Sequence, residues 1–226
     1  MSNVVFFDGV DDYVDCGVGA SFNITDNLTQ EILIKHNIVP FQGVSGQYAV
    51  ISQKGGALNA GGAFGFYYHI GNLQVYAYYR DSTNTLVGGV ATPGVDAKKW
   101  HHLVSTFATG TMKIYLNGNL ISTGPAGFNT LNVSAQQYVV SYVKNTWYAG
   151  LVANARVYNR VLSDDEVLYN KEHPNNAIRQ GRQLGVTQES IVGGVWKDLS
   201  PNGYDGTPTG VVLGSGNNLA GRNVSL

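Results

Sequence analysis

Two segments bracket what this chain can fold into. One is F-F-D-G-V-D-D-Y-V at Phe6–Val14, a strand broken by a Gly turn; the other is A-R-V-Y-N-R-V-L-S-D-D-E-V at Ala155–Val167, a strand that runs into a helix. In the second, Arg156–Tyr158 carries β-branched and aromatic strand formers, and Ser163 is followed three residues later by Glu166. That spacing is a capping box, in which the Ser hydroxyl and the Glu carboxylate each satisfy a backbone N–H left open by the first helical turn. Asp164 and Asp165 favour the same end through the helix dipole. The pattern predicts a short helix over 164–172, stopped by Pro174, which has no amide hydrogen to donate. These acids are therefore read as caps, not as metal ligands or catalytic groups.

Between the brackets the chain reads as short strands separated by turn signals. Gln30–His36 alternates with Ile32 and Ile34 on one face, and Tyr48–Ser52 is a compact apolar segment. Phe64–His69 and Leu73–Tyr79 flank Ile70-Gly71-Asn72, where Gly-Asn supplies the positive φ angles of a hairpin turn. Trp100–Thr106 and Met112–Leu116 follow, and Asn117-Gly118 is the strongest hairpin signal before Asn119–Ser122. Tyr138–Val143 and Trp147–Val152 read as a further pair. Asn175–Ser190 is polar and aperiodic, which predicts a surface loop. Val192–Trp196 and Thr209–Leu213 then read as strands around a turn-rich stretch, and Gly214–Leu226 as a tail. With Gly 29, Tyr 14 and only 13% charged residues, the 226 residues suit one all-β sandwich spanning 1–226.

The same numbers exclude partners. A net charge of -1 offers no basic field for nucleic acid or anionic lipid. Cys16 is the only cysteine, so neither an intrachain disulfide nor a thiolate zinc cluster forms, and the residue is read as a small buried hydrophobe. No stretch reaches the apolar length of a membrane span, and Met1–Val5 runs straight into strand-like sequence, so the protein is expected to begin in the cytoplasm.

F-D-G-V-D-D-Y-V, W-H-H-L-V-S-T-F at Trp100–Phe107, K-I-Y-L-N-G-N-L-I at Lys113–Ile121 and the Ala155–Val167 segment resemble, in order, the signatures of laminin G-like modules of the concanavalin A-like jelly-roll superfamily. The resemblance covers about residues 4–170 and implies a two-sheet antiparallel jelly roll. It also bears on chain order. Trp196–Gly210 is similar to a segment that in many such modules precedes the F-D-G strand, which implies a permuted arrangement with C-terminal strands at about 192–213 completing the sandwich.

Chemistry follows from the resemblance and from the residues. Related glycoside hydrolases use paired carboxylates on one strand face, but the pattern E-x-D-x-E is absent. Of the glutamates, Glu31, Glu166, Glu172 and Glu189, none has a carboxylate two residues away in a strand. Glu31 is placed on a solvated strand face. His101 and His102 are adjacent, so on a strand they point to opposite faces and cannot share a metal. Relatives bind calcium near the first strand, which implies Ca²⁺ at Asp8 and Asp12, although Ala153 and Asn154 stand where relatives carry an acidic pair. Aromatic rings stack on sugar C–H faces, so Tyr76, Tyr78, Tyr79, Arg80 and Trp147 are the expected ligand-binding residues. The expected function is non-catalytic recognition. The leading form is a bacteriophage virion-surface protein, a decoration or fibre component assembled in the cytoplasm, that contacts glycans or capsid and tail proteins and forms homo-oligomers. A secreted or cell-surface carbohydrate-binding module is the alternative, and a glycoside hydrolase is disfavoured.

Overall fold

The computed structural model describes residues 3–36, 48–55, 62–87, 91–141 and 147–215. In chain order the strands are β1 (Asn3–Asp8), β2 (Tyr13–Asp15), β3 (Leu28–His36), β4 (Tyr48–Lys54), β5 (Phe64–His69), β6 (Gln74–Arg80), β7 (Leu86–Val87), β8 (Trp100–Ala108), β9 (Thr111–Leu116), β10 (Asn119–Pro125), β11 (Tyr138–Val140) and β12 (Ala149–Tyr158). After helix α1 (Asp164–Glu172) come β13 (Arg182–Thr187), β14 (Ile191–Val192), β15 (Val195–Trp196), β16 (Thr207–Thr209) and β17 (Val212–Ser215). One antiparallel sheet runs β10, β9, β8, β3, β12, β1, β17, with β13 also on β12; the other runs β16, β2, β11, β4, β5, β6, β7. The two pack face to face as the expected jelly-roll sandwich.

Alternation decides what lies between the sheets. Val5 and Phe7 of β1, Ile32 and Ile34 of β3, Phe64, Phe66 and Tyr68 of β5 and Val75, Ala77 and Tyr79 of β6 all enter one core. Cys16 joins it, as expected, and burial pushes its thiol well above the ordinary range. Polar links also cross the core: Gln30 Nε2 donates to Gly65 O at 3.2 Å, and Tyr79 Oη is hydrogen-bonded to Ser105 Oγ.

Both hairpins form where the turn signals place them. Asn117 and Gly118 have φ of 53° and 85°, the pair of positive angles that suits this turn. Between β5 and β6 the positive φ falls instead on Leu73, at 57°. The capping box is also present: Glu166 N donates to Ser163 Oγ at 3.2 Å and Ser163 N to Glu166 Oε2 at 2.9 Å. The helix spans the expected residues, and Arg160 clamps Glu166 with two further bonds of 2.8 and 2.7 Å.

Three expectations are corrected. Tyr138–Val143 and Trp147–Val152 do not pair, because β11 lies in one sheet, on β2 and β4, and β12 in the other, on β1, β3 and β13. Positions 142–146 lie outside the described residues. The polar stretch Asn175–Ser190 is not all loop: β13 pairs with β12 from Asn154↔Thr187 to Tyr158↔Arg182, and Leu184 and Val186 are fully buried. Val192–Trp196 is a small hairpin, β14 with β15, around Gly193 and Gly194. The tail positions 216–226 lie outside the described residues, while β17 pairs with β1.

Candidate functional site

Directly opposed residues on antiparallel strands share a face, so the pairings Tyr48↔His69 and Tyr67↔Tyr76 bring four rings together on the outer face of the seven-stranded sheet. Tyr67 and Tyr76 are stacked, with centroids 5.0 Å apart and planes 3° from parallel. Tyr48 meets Tyr67 edge-on at 5.2 Å and His69 edge-on at 4.8 Å. Tyr48 is 40% exposed and the other three are half-buried, so the cluster is a surface platform, not core.

Polar groups rim one side of it. Tyr76 Oη donates to Gln74 Oε1 at 2.9 Å and accepts from Asn72 Nδ2 at 3.0 Å. His69 Nδ1 accepts from Gly71 N and Asn72 N, each at 3.2 Å, which leaves Nε2 to carry the proton of the neutral ring. Burial, helped by Tyr48 and Tyr76, pushes the Tyr67 phenol up to about 12, so it stays a neutral donor and acceptor at any ordinary pH. Flat apolar faces beside amides, a hydroxyl and an imidazole N–H form a surface suited to a polyhydroxylated ring.

The expected ligand-binding residues divide. Tyr76 lies in the platform. Tyr78 shares its face, but at 1% exposure it lies beneath the platform, over Gly65, with its hydroxyl on Gln53 Oε1 at 3.1 Å. A Cβ at Gly65 would come within 2.7 Å of the Tyr78 ring, so that glycine is what lets the ring lie flat. Tyr79 points the other way into the core, and Arg80, at 4% exposure, donates to Asn84 O at 2.8 Å. Tyr78, Tyr79 and Arg80 therefore support the surface without presenting one. Trp147 stacks on Tyr13 at 6.3 Å, apart from the platform cluster. Tyr48 and His69 were not among the expected residues; only the strand register reveals them.

Asp8 and Asp12 do come together, joined by Asp11: a ligand oxygen from each lies within 4.8 Å of the others. Two of these oxygens already serve the turn, since Asp8 N donates to Asp12 Oδ2 at 2.7 Å and Val10 N to Asp8 Oδ1 at 2.8 Å. Burial first, then the neighbouring Asp8 and Asp11 charges, raise Asp12 to about 6. Hard oxygens that repel one another fit a divalent cation such as Ca²⁺, with backbone and water oxygens needed to complete its shell.

Glu31 contradicts its expected solvated setting. It is fully buried on the outer face of the eight-stranded sheet, sealed beneath α1 and the segment that follows it. It pairs with Arg156 and accepts from His102 Nε2 at 2.9 Å and Asn170 Nδ2 at 2.8 Å. His101, on the opposite face as expected, is bonded to Asp96 O at 2.8 Å.

The fold has relatives among solved structures. A candidate carbohydrate-binding protein from Bacteroides ovatus aligns over 95% of this chain with a TM-score of 0.68 at 15% identity. The chain spans 60% of that protein's length. A heptameric SAP-like pentraxin from Limulus polyphemus aligns over 94% of both chains with a TM-score of 0.61 at 14% identity. The receptor-binding domain of botulinum neurotoxin C/D mosaic serotype covers 76% of this chain and 42% of its own, with a TM-score of 0.54 at 14% identity. No curated protein sequence matches. At such identities the structural likeness speaks for the fold, and the sequence itself carries the family: the profile of the Concanavalin A-like lectin/glucanases superfamily matches residues 8–168, and the chain belongs to that superfamily.

Proposed function

We propose that this protein is a non-catalytic glycan-recognition module that receives sugar rings on the Tyr48, Tyr67, His69 and Tyr76 platform. The observation that carries the reading is the cross-strand ring cluster itself, half-exposed, ordered by two register pairs and rimmed by amide and hydroxyl groups. A carbohydrate-binding-like jelly-roll fold supports it. The non-catalytic part rests on the carboxylates: Glu31 is held in a sealed ion pair and Glu166 in a capping box, so neither is poised to attack or protonate a glycosidic bond.

A glycan array identifies the ligand, and Tyr67→Ala is then expected to weaken it about tenfold, as removal of a central aromatic contact does. Tyr169→Ala, on the exposed face of α1, serves as the control and should leave affinity unchanged. Equal affinity in wild type and Tyr67→Ala would remove the platform from the reading.

Calcium at Asp8, Asp11 and Asp12 is the second part of the proposal. Because the folded-state pKa of Asp12 is raised to about 6, its contribution to stability is present at low pH and lost as pH rises through 6. A bound cation offsets that loss. Millimolar CaCl₂ should therefore raise the Tm at pH 7 and do much less at pH 5, with Asp11→Asn reducing the gain; identical melts in calcium and EDTA at pH 7 count against the site. Display on a virion surface is the widest part of the reading. Its check is genomic: capsid or tail reading frames on either side favour it, and neighbours devoted to export or polysaccharide use favour the secreted alternative.

A further inference from the structure

Away from the platform, the segment between α1 and β13 walls a cleft of about 180 Å³ lined by Asn175, Asn176, Ala177, Arg179, Arg182 and Leu199. The walls are fixed by hydrogen bonds before anything binds. Ile178 N donates to Asn170 Oδ1 at 2.8 Å, Tyr158 Oη to Ile178 O at 3.2 Å, and Asn159 N to Gly181 O at 2.9 Å. Inside them lies an arginine in an unusual state. Arg182 is 7% exposed, yet neither it nor Arg179 takes part in any ion pair among the described residues. Arginine is rarely buried to that degree without a partner.

Nη2 of Arg182 donates to Leu199 O at 2.8 Å, while its Nε is buried and has no acceptor. The guanidinium lies against Gly185, where a Cβ would come within 2.6 Å of Nε, so the glycine holds open the space the side chain occupies. Asp198 is the carboxylate that acts on Arg182 across space, but its oxygens are taken by Gly185 N at 2.8 Å, Ser200 N at 2.9 Å, Ser200 Oγ at 2.6 Å and Tyr204 N at 2.8 Å. At the rim, Glu189 is bound to Asn175 Nδ2. Arg156 lies close enough to repel Arg182, though Glu31 offsets its charge. The result is a preformed cleft with two guanidinium groups that sit in no ion pair among the described residues, Arg182 feeling Asp198 only at a distance, and room for about six waters' worth of volume, enough for one oxyanion.

We propose that this cleft is an oxyanion site in which Arg179 and Arg182 bind a carboxylate or sulfate group, with the Asn175 and Asn176 amides at its mouth. Guanidinium forks match both groups in geometry and charge. The site stands independently of the aromatic platform, and Tyr67→Ala should leave it intact.

The test is an NMR titration of the ¹⁵N-labelled protein with sodium sulfate, then with glucuronate and with glucose, chloride being adjusted to keep ionic strength constant. Saturable shifts at Arg179, Gly185 and Leu199 amides are expected, with a Kd of roughly 1–10 mM. Arg179→Ala, at an exposed position that folding does not depend on, should weaken binding about tenfold, as loss of a charged hydrogen-bond donor does. Arg182→Lys keeps the charge and loses the fork, and should weaken it further. Glucuronate bound more tightly than sulfate, with glucose silent, assigns the site to carboxylated sugars; sulfate bound more tightly assigns it to sulfate groups, free or esterified. Shifts that never saturate, that scatter over surface lysines, or that persist unchanged in Arg179→Ala overturn the proposal.

Discussion

A chain ended at Ala177 is expected to lose its cooperative fold. The removed strands are not an appendage to the sandwich by contact: β13 pairs with β12, β17 with β1 and β16 with β2, so the cut would strip a hydrogen-bonding partner from β12, β1 and β2 alike. Fully buried Leu184, Val186 and Trp196 would leave the core as well, and Trp196 Nε1 would no longer donate to Thr187 O at 2.7 Å. Burial of three such side chains contributes roughly 6–11 kcal/mol, comparable to the whole stability of an ordinary domain. The Asn154–Tyr158 half of β12 becomes an open edge, the kind that pairs with other chains. Near-UV circular dichroism and size exclusion would show lost tertiary signal and soluble aggregates. A monomeric product with a cooperative melt would mean that residues 1–177 fold alone and that the C-terminal strands merely dock, against the permuted single-domain arrangement.

What was legible in the sequence was local. The α1 cap is written in Ser163 and Glu166, two residues three apart whose chemistry needs nothing from elsewhere, and the structure reproduces it residue for residue. β5 was legible because Phe64, Phe66 and Tyr68 alternate with Tyr67 and His69, and because a turn follows at once. β13 was missed because Arg182, Gln183 and Thr187 surround only two apolar residues, Leu184 and Val186; their spacing of two was the available signal, and partnership with β12 made a strand of it. Tyr138–Val143 and Trp147–Val152 are neighbours in sequence without being neighbours in a sheet, and no local pattern distinguishes the two cases. Here β11, ending at Val140, and β12, beginning at Ala149, lie in opposite sheets.

The site was half legible for the same reason. Strand alternation puts Tyr76 and Tyr78 on one face and Tyr79 on the other, as the structure has them. It could not say that Tyr78 would lie against Tyr67, or that Tyr48 would reach the cluster from β4, since both depend on which strands are adjacent. The arginine cleft was invisible altogether, because it joins a post-helical segment to a turn near Leu199 through burial that no local pattern encodes.

Glu31 shows most directly how tertiary cover changes the chemistry of one residue, and Glu31→Gln is expected to cost about 3–5 kcal/mol by leaving Arg156 buried without its counter-charge. For a chain of this size that corresponds to a fall in Tm of about 10 °C. Burial alone would raise the Glu31 pKa, but Arg156, His102 and Asn170 together outweigh it and lower the carboxyl from 4.5 to about 2. A depressed folded-state pKa contributes stability that is complete above the unfolded value and is lost as pH falls through the folded one. The window is therefore pH 4.5 down to 2, and the contribution is roughly 3 kcal/mol at 1.36 kcal/mol per unit. Urea unfolding at pH 7 and pH 3 separates this from general acid damage: wild type should lose more stability between the two than Glu31→Gln, which has no carboxylate to protonate. The double variant Glu31→Leu with Arg156→Met removes both charges and should recover much of the loss at pH 7, because the penalty of a broken buried pair lies mainly in the stranded charge. If Glu31→Gln instead melts within a degree or two of wild type, water and the Pro174 carbonyl that already accepts from Arg156 suffice to solvate its charge, and the network is not what pins α1 to the sheet.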